Sequence, residues 1–121
     1  MPNSFRFLRG ANQDNTLRTA TQDSLSIAYA ATIGITPVTT DNLYVIGQLT
    51  GALTMNATVT GLYIGDKVSV LLSSDASARV VTFGTNFLSA GTLSVTGTKT
   101  AYADFVFDGT NLREMGRTVT A

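Results

Sequence analysis

Carboxylates are the main side chains available for catalysis in this chain, because the sequence contains neither histidine nor cysteine. Without histidine there is no imidazole base, no usual zinc ligand and no partner for a catalytic serine. Without cysteine there is no thiolate chemistry and no disulfide framework. The acidic residues are Asp14, Asp23, Asp41, Asp66, Asp75, Asp104, Asp108 and Glu114.

One carboxylate pair could be brought together by the predicted strands. Asp104 and Glu114 lie on the two strands that flank an Asp108-Gly109 turn, so they could approach each other as the carboxylates of a glycoside hydrolase do. Such a pair also needs a cleft and supporting polar residues, which the sequence does not indicate. Most other Asp residues fall in predicted turns, where the carboxylate bonds to the backbone. We therefore predict that the protein is not an enzyme.

Ligand-binding motifs are also sparse, and we predict no metal site and no cofactor. The glycines at positions 61, 65 and 84 bracket strands and do not open a helix in the manner of a phosphate loop. The basic residues are scattered and the formal net charge is zero, which argues against nucleic-acid binding. Four tyrosines could stack on sugars, although tyrosines on alternating strands usually pack in a core or an interface. They are Tyr29, Tyr44, Tyr63 and Tyr102.

Two predicted hairpins organise the chain. Residues 67–72 and 79–83 alternate apolar and polar side chains around a polar turn, and we expect them to pair antiparallel at the centre of the fold. Residues 102–107 and 112–115 flank Asp108-Gly109, a strong hairpin signal. Residues 25–35 alternate throughout and predict one long, half-buried strand that Pro37 ends. Shorter strands are predicted near residues 43–46, 53–59 and 93–95.

These elements predict an all-β fold, an antiparallel β-sandwich of the jelly-roll kind. The count is about seven to nine strands, with turn signals roughly every 8 to 12 residues, which is the spacing typical of sandwiches. A chain of 121 residues is expected to form one domain. We predict that this domain spans residues 24–121 and that residues 1–23 form an N-terminal arm.

The arm carries a short apolar cluster in an otherwise polar segment. Burying one Phe is worth roughly 1.5 to 3 kcal/mol, and a partner surface could supply that burial; a frayed terminus is the alternative. The predicted partner-anchoring residues are Phe5, Arg6, Phe7, Leu8 and Arg9. Charged residues make up only 13% of the chain, which favours a symmetric oligomer. The sequence shows neither a secretion signal nor an apolar membrane span, so we expect synthesis in a cytoplasm.

Strand and turn phrases follow one another in a recognisable order between residues 31 and 111. They are Ala31-Thr32-Ile33 with Thr36-Pro37, Leu53-Thr54-Met55, Gly65-Asp66-Lys67-Val68, Val81-Thr82-Phe83-Gly84-Thr85-Asn86-Phe87, Gly91-Thr92-Leu93 and Asp108-Gly109-Thr110-Asn111. In this order and spacing the chain resembles small β-sandwich domains of tailed-bacteriophage virion proteins. Such domains often carry Trp after Gly-Thr-Asn, where this chain has Leu112, so an aromatic platform for sugars is not expected there.

The resemblance implies a structural virion protein. We expect a capsid decoration or cement protein, favoured as a homotrimer, that binds the major capsid protein and stabilises the head. It would be made in the host bacterial cytoplasm and lie on the capsid surface. The alternative is a fibre or tail adhesin domain that binds a glycan or receptor on the host surface.

Overall fold

The computed structural model describes residues 22–121, which form ten β-strands and no helix. The strands are β1 (Gln22–Ile27), β2 (Thr32–Ile35), β3 (Asp41–Ile46), β4 (Leu53–Ala57), β5 (Lys67–Ser73), β6 (Arg79–Phe83), β7 (Phe87–Leu88), β8 (Leu93–Val95), β9 (Thr100–Phe107) and β10 (Leu112–Val119). The predicted all-β character is therefore confirmed.

The strands form two sheets, and the chain alternates between them. The larger sheet has the order β1-β3-β5-β9-β10-β7, and the smaller sheet has the order β2-β4-β6-β8. Strands β1, β3 and β5 run parallel, as do β2, β4 and β6. Each consecutive pair, one strand in each sheet, is thus one rung of a β-solenoid-like coil. Three rungs follow one another, namely β1 with β2, β3 with β4, and β5 with β6.

This topology corrects the predicted antiparallel jelly-roll sandwich. The central hairpin was wrong in its pairing, because β5 pairs with β3 and β9 while β6 pairs with β4 and β8. Both strands formed close to their predicted bounds. The connection between them is a corner that crosses from one sheet to the other, where Ser74 Oγ donates to the Val95 carbonyl at 3.1 Å.

The predicted long strand over residues 25–35 was also wrong. It is two strands, β1 and β2, which lie in different sheets and are separated by a corner at residues 28–31. Tyr29 fastens this corner to the next rung, since its hydroxyl donates to the Ala52 carbonyl at 2.8 Å. Period-two alternation continued across the corner because both strands turn alternate side chains toward the same interior.

The hairpin at Asp108-Gly109 is confirmed. Strands β9 and β10 pair antiparallel, with a register shift between Glu114 and Gly116. The Asp108 carboxylate accepts hydrogen bonds from the backbone N–H groups of Thr110 and Asn111 at 2.9 and 2.8 Å. Gly109 has a φ of +104°, a conformation that favours glycine.

The core lies between the two sheets and is filled by alternate side chains of both. Three aromatic rings, those of Phe83, Phe87 and Phe105, pack together with centroids 4.9 to 5.3 Å apart. Other fully buried side chains belong to the same core, including Ile35, Leu49, Leu53, Met55, Leu72, Val81 and Leu112. The result is a rigid scaffold whose surface loops and outward sheet faces are left for function.

Candidate interaction surface

The predicted anchoring residues Phe5, Arg6, Phe7, Leu8 and Arg9 lie outside the described residues, so their role remains a prediction. The other predicted candidates are the carboxylates and the tyrosines, and all of them except Asp14 lie within residues 22–121.

The Asp104 and Glu114 carboxylates lie on opposite faces of the larger sheet. Asp104 pairs in register with Ser69 on the outward face. Glu114 pairs with the core residue Phe105, on the inward side. The register therefore separates the pair that the sequence left open, and the geometry of a glycoside hydrolase is not formed by these two residues.

Glu114 belongs instead to an ion pair with Arg117, which we call the Arg117 clamp. Arg117 Nε and Nη2 lie 2.7 and 2.8 Å from the two Glu114 carboxylate oxygens. The same guanidinium donates to the carbonyls of Gly91 and Thr92, each at 2.9 Å, and Glu114 accepts from the Ala90 N–H at 2.8 Å. The bonds from Arg117 hold the pKa of Glu114 below its usual value. The clamp thus fastens the β7–β8 connection to β10.

Beside the clamp lies an open depression of about 560 Å³, bordered by Phe87, Leu88, Ser89, Ala90, Arg113 and Glu114. The only carboxylate on its border is Glu114, and both of its oxygens already bond to Arg117.

A second polar cluster lies on the outward face of the larger sheet. Ser69 Oγ donates to Asp104 Oδ1 at 2.7 Å, and Tyr102 Oη lies 3.0 Å from both of those atoms. The hydrogen bond with Ser69 lowers the pKa of Tyr102, whereas burial and the neighbouring Asp104 carboxylate raise it. The net result is a raised pKa of Tyr102. The neutral hydroxyl of Tyr102 is thus favoured, and the cluster ties β5 to β9.

The most distinctive surface feature is apolar. Val38, Tyr63 and Ile64 are 53%, 51% and 77% exposed, and all three lie in connections that lead from the smaller sheet to the larger one. We call these three residues the apolar loop edge. Large exposed side chains in a group usually mark an interaction site, whereas single ones need no explanation.

The loop edge is held by a tight turn at residues 63–66. Asp66 Oδ2 accepts from the Tyr63 N–H at 2.7 Å, and the Asp66 N–H donates to the Tyr63 carbonyl at 3.0 Å. Gly65 between them has a φ of +94°, as the third residue of a type II turn requires. Two more backbone bonds join this turn to Phe107 of β9. Tyr63 and Ile64 are thus presented in a fixed geometry.

Two glycines lie beside exposed side chains of the loop edge. A side-chain carbon at Gly61 would come within 2.8 Å of the Val38 side chain, and one at Gly109 would come within 3.3 Å of Ile64. Glycine at positions 61 and 109 thus leaves room for the side chains of Val38 and Ile64. Of the three residues of the loop edge, the sequence pointed only to Tyr63, as a packing or stacking tyrosine. Val38 and Ile64 gave no signal, because an apolar residue in a connection looks the same whether it is buried like Leu62 or exposed.

No protein-family model matches the chain, and no curated protein matches it significantly. Residues 22–121 contain no group of three or more acidic residues placed to hold a metal ion. Nor does that part of the chain contain a helix long and apolar enough to cross a membrane.

Proposed function

We propose that this protein is a structural virion protein, a decoration or cement protein that binds the major capsid lattice and stabilises the head. The observation that carries the proposal is the apolar loop edge, because its exposed side chains are fixed by a closed turn and by glycine contacts. A fixed apolar group loses little conformational freedom when a partner covers it, so more of the burial is retained as affinity.

The turn sequences that resemble phage virion domains support the same function, because of their positions in the fold. Gly65-Asp66 forms the turn beneath the loop edge, and Asp108-Gly109 forms the adjacent β9–β10 turn. In the Gly84-Thr85-Asn86 corner, the Asn86 amide donates to the Ala57 carbonyl at 2.7 Å. The quoted phrases thus build the corners of the solenoid, so they describe a scaffold and its docking edge.

The mechanism is the covering of surface on a lattice. A standard protein interface buries roughly 1,600 Å² in total. The loop edge would form the apolar centre of such a contact, and a homotrimer would present three copies of it to symmetry-related capsid subunits. The predicted arm residues Phe5, Phe7 and Leu8 would add further apolar contacts.

Binding to capsids that lack the protein tests this function. We expect wild-type protein to saturate such capsids and Ile64→Asp to lose most of its occupancy, because a carboxylate at the centre of the contact must be desolvated. Val80→Asp is the matched control, since Val80 is 44% exposed on the outward face of the smaller sheet. Equal occupancy by the two variants would rule out the loop edge as the contact.

Removal of residues 1–21 separates the contribution of the arm from that of the loop edge. We expect the shortened protein to bind capsids more weakly than the full chain while it keeps the sensitivity to Ile64→Asp. Full occupancy by the shortened protein would end the proposal that the arm anchors the protein to the capsid.

A host-surface adhesin is the second candidate, and the exposed ring of Tyr63 is the observation that favours it. A tyrosine held in a rigid turn can stack on a sugar ring. The Leu112 position does not contribute, because its side chain is fully buried. Saturable binding to a glycan array that Tyr63→Ala abolishes would favour the adhesin over the cement protein.

A further inference from the structure

The two ends of the solenoid are finished differently. At the C-terminal end, β8 and β9 turn back antiparallel onto the third rung, and β10 with the two-residue β7 extends the larger sheet. The Arg117 clamp closes that end. At the N-terminal end, β1 and β2 are the last strands of their sheets within residues 22–121, and no described segment covers them.

The exposure of core-facing side chains shows that the N-terminal end is open. Leu25, Tyr44, Val70 and Ala103 are register neighbours across the larger sheet and share its inward face. Tyr44, Val70 and Ala103 are 6%, 0% and 0% exposed, whereas Leu25 is 52% exposed. The interior of the first rung therefore continues to the surface, as it does in a solenoid that lacks its terminal cap.

The backbone edge at this end has few of the features that protect edge strands. Natural sheets guard such strands with proline, with lysine and other charged residues, or with bulges, because an exposed edge pairs with other chains. Neither β1, with the sequence QDSLSI, nor β2, with the sequence TIGI, contains proline or lysine, Asp23 is the one charged residue in these two strands, and their registers with β3 and β4 are continuous. An edge of this kind is expected to be covered in the folded protein.

The preceding segment of this chain has the length and the pattern to cover it. One rung takes 19 residues from position 22 to its partner 41, and 26 residues from position 41 to its partner 67. A spacing of 20 residues, one more than the first rung takes, would set Phe5 opposite Leu25 and Phe7 opposite Ile27 and would turn Arg6 outward. The 13 residues from 9 to 21 then remain to return the chain to β1, and they can span at most about 43 Å.

We propose that residues 5–8 of this same chain pair parallel with β1 as an additional strand of the larger sheet, so that Phe5 and Phe7 cover Leu25 and Ile27. The occupant of the open end is thus the chain's own N-terminal segment. This inference goes beyond the proposed function and does not depend on it. The same apolar residues cannot cap the solenoid and contact a capsid at once. An arm that caps the first rung must therefore be released before it can bind elsewhere.

An engineered disulfide tests the proposal in the full-length protein, which has no cysteine of its own. The register places Arg6 beside Ser26, whose side chain is exposed. Neighbouring strands lie about 4.8 Å apart, within the Cα separation of about 4.4 to 6.8 Å that a disulfide needs. After mild oxidation of the Arg6→Cys and Ser26→Cys double variant, we expect mainly single chains that each carry an internal disulfide. Non-reducing electrophoresis and peptide mass spectrometry would identify it.

The matched control combines Arg6→Cys with Ser94→Cys, because Ser94 is also exposed but lies on β8 in the smaller sheet. We expect no internal disulfide in this control. Circular dichroism confirms that both variants are folded. Three results would overturn the proposal: a folded 6–26 variant that stays reduced, cross-linking that is equal in the control, or disulfides that join two chains only. Capsid binding is measured separately, so a failure of the cap is distinct from a failure of the cement function.

Discussion

The charged side chains of the described strands and turns mostly serve local structure. Asp66 and Asp108 accept backbone hydrogen bonds within their own turns, and the bonds from Thr110 and Asn111 contribute to a lowered pKa of Asp108. Asp75 accepts from the Ser77 N–H of its own turn at 3.2 Å and bonds through both oxygens to Arg79, and the Arg79 bonds lower the pKa of that carboxyl. Turn duty was the sequence prediction for most Asp residues, and for these three it is confirmed.

Glu114→Gln is predicted to weaken the fold in a pH-dependent manner. The Glu114 side chain is only 5% exposed and accepts charged hydrogen bonds from Arg117, so we expect a loss of about 2 kcal/mol in the free energy of unfolding at pH 7. The folded-state pKa of Glu114 lies below the ordinary value of 4.5. The stabilisation is therefore complete above pH 4.5 and is lost as the pH falls through the lower, folded-state pKa.

Urea unfolding of both proteins across pH 3 to 7 measures this effect. The difference in unfolding free energy should be constant near neutral pH and shrink in acid. Arg113→Gln is the control, because the Arg113 side chain is 60% exposed and Asp108 keeps its backbone bonds without it. A difference between wild type and Glu114→Gln that does not change with pH would contradict the role of the clamp.

At the scale of the elements, the sequence predicted strands well and their partners poorly. Strands β5, β6 and β9 formed close to the predicted residues, because alternation reports which side chains face the core. Alternation carries no information about which strand lies alongside. The same pattern in residues 67–83 fits a hairpin within one sheet or a corner between two sheets. Only the β9–β10 pairing was predictable, because Asp108-Gly109 specifies a tight turn by its own chemistry.

The corners that cross between sheets are where the solenoid topology is decided. The Thr98 N–H donates to the Asp75 carbonyl at 2.6 Å, so the corner after β8 packs directly on the corner after β5. Gly97 lies in this contact. A side-chain carbon there would come within 2.5 Å of the Ala76 carbonyl oxygen and 3.0 Å of its carbon.

Gly97→Ala is therefore predicted to destabilise the protein by about 1 to 3 kcal/mol, since backbone must move to admit the methyl group. Gly34→Ala is the matched control, because a side-chain carbon at Gly34 meets nothing within 4 Å. Alanine within a strand is favoured over glycine by roughly 0.5 to 1 kcal/mol, so this control should be neutral or stabilising. Thermal unfolding compares the two, and equal stability of both variants would show that the corners do not pack as described.

At the scale of the whole molecule, residues 22–121 form a short solenoid-like coil with the exposed apolar loop edge on one side and an open first rung at its N-terminal end. The edge of Val38, Tyr63 and Ile64 could not be predicted, because it is formed by two connections, β2–β3 and β4–β5, that are separate in the sequence. The predicted arm cluster was visible in the sequence, since Phe5 and Phe7 stand out in a polar segment. The sequence did not reveal that Leu25 is exposed, so it gave no indication of a surface within the same chain that this cluster could cover.

Self-association is the first property that this arrangement predicts for the purified protein. The chain has zero formal net charge and exposes apolar side chains in fixed positions, so repulsion between copies is weak. We expect a homotrimer by light scattering at micromolar concentration. A monomer at every concentration tested would contradict the trimeric form of the proposal and leave the single subunit as the unit that binds.

The most direct test of the proposed cement function is the number of copies of this protein in purified virus particles, measured by quantitative mass spectrometry against the major capsid protein. A cement protein follows the capsid lattice, so the account predicts hundreds of copies in a fixed ratio to the capsid protein. A few copies per particle would indicate a fibre or tail position, and absence from the particle would contradict the virion role altogether.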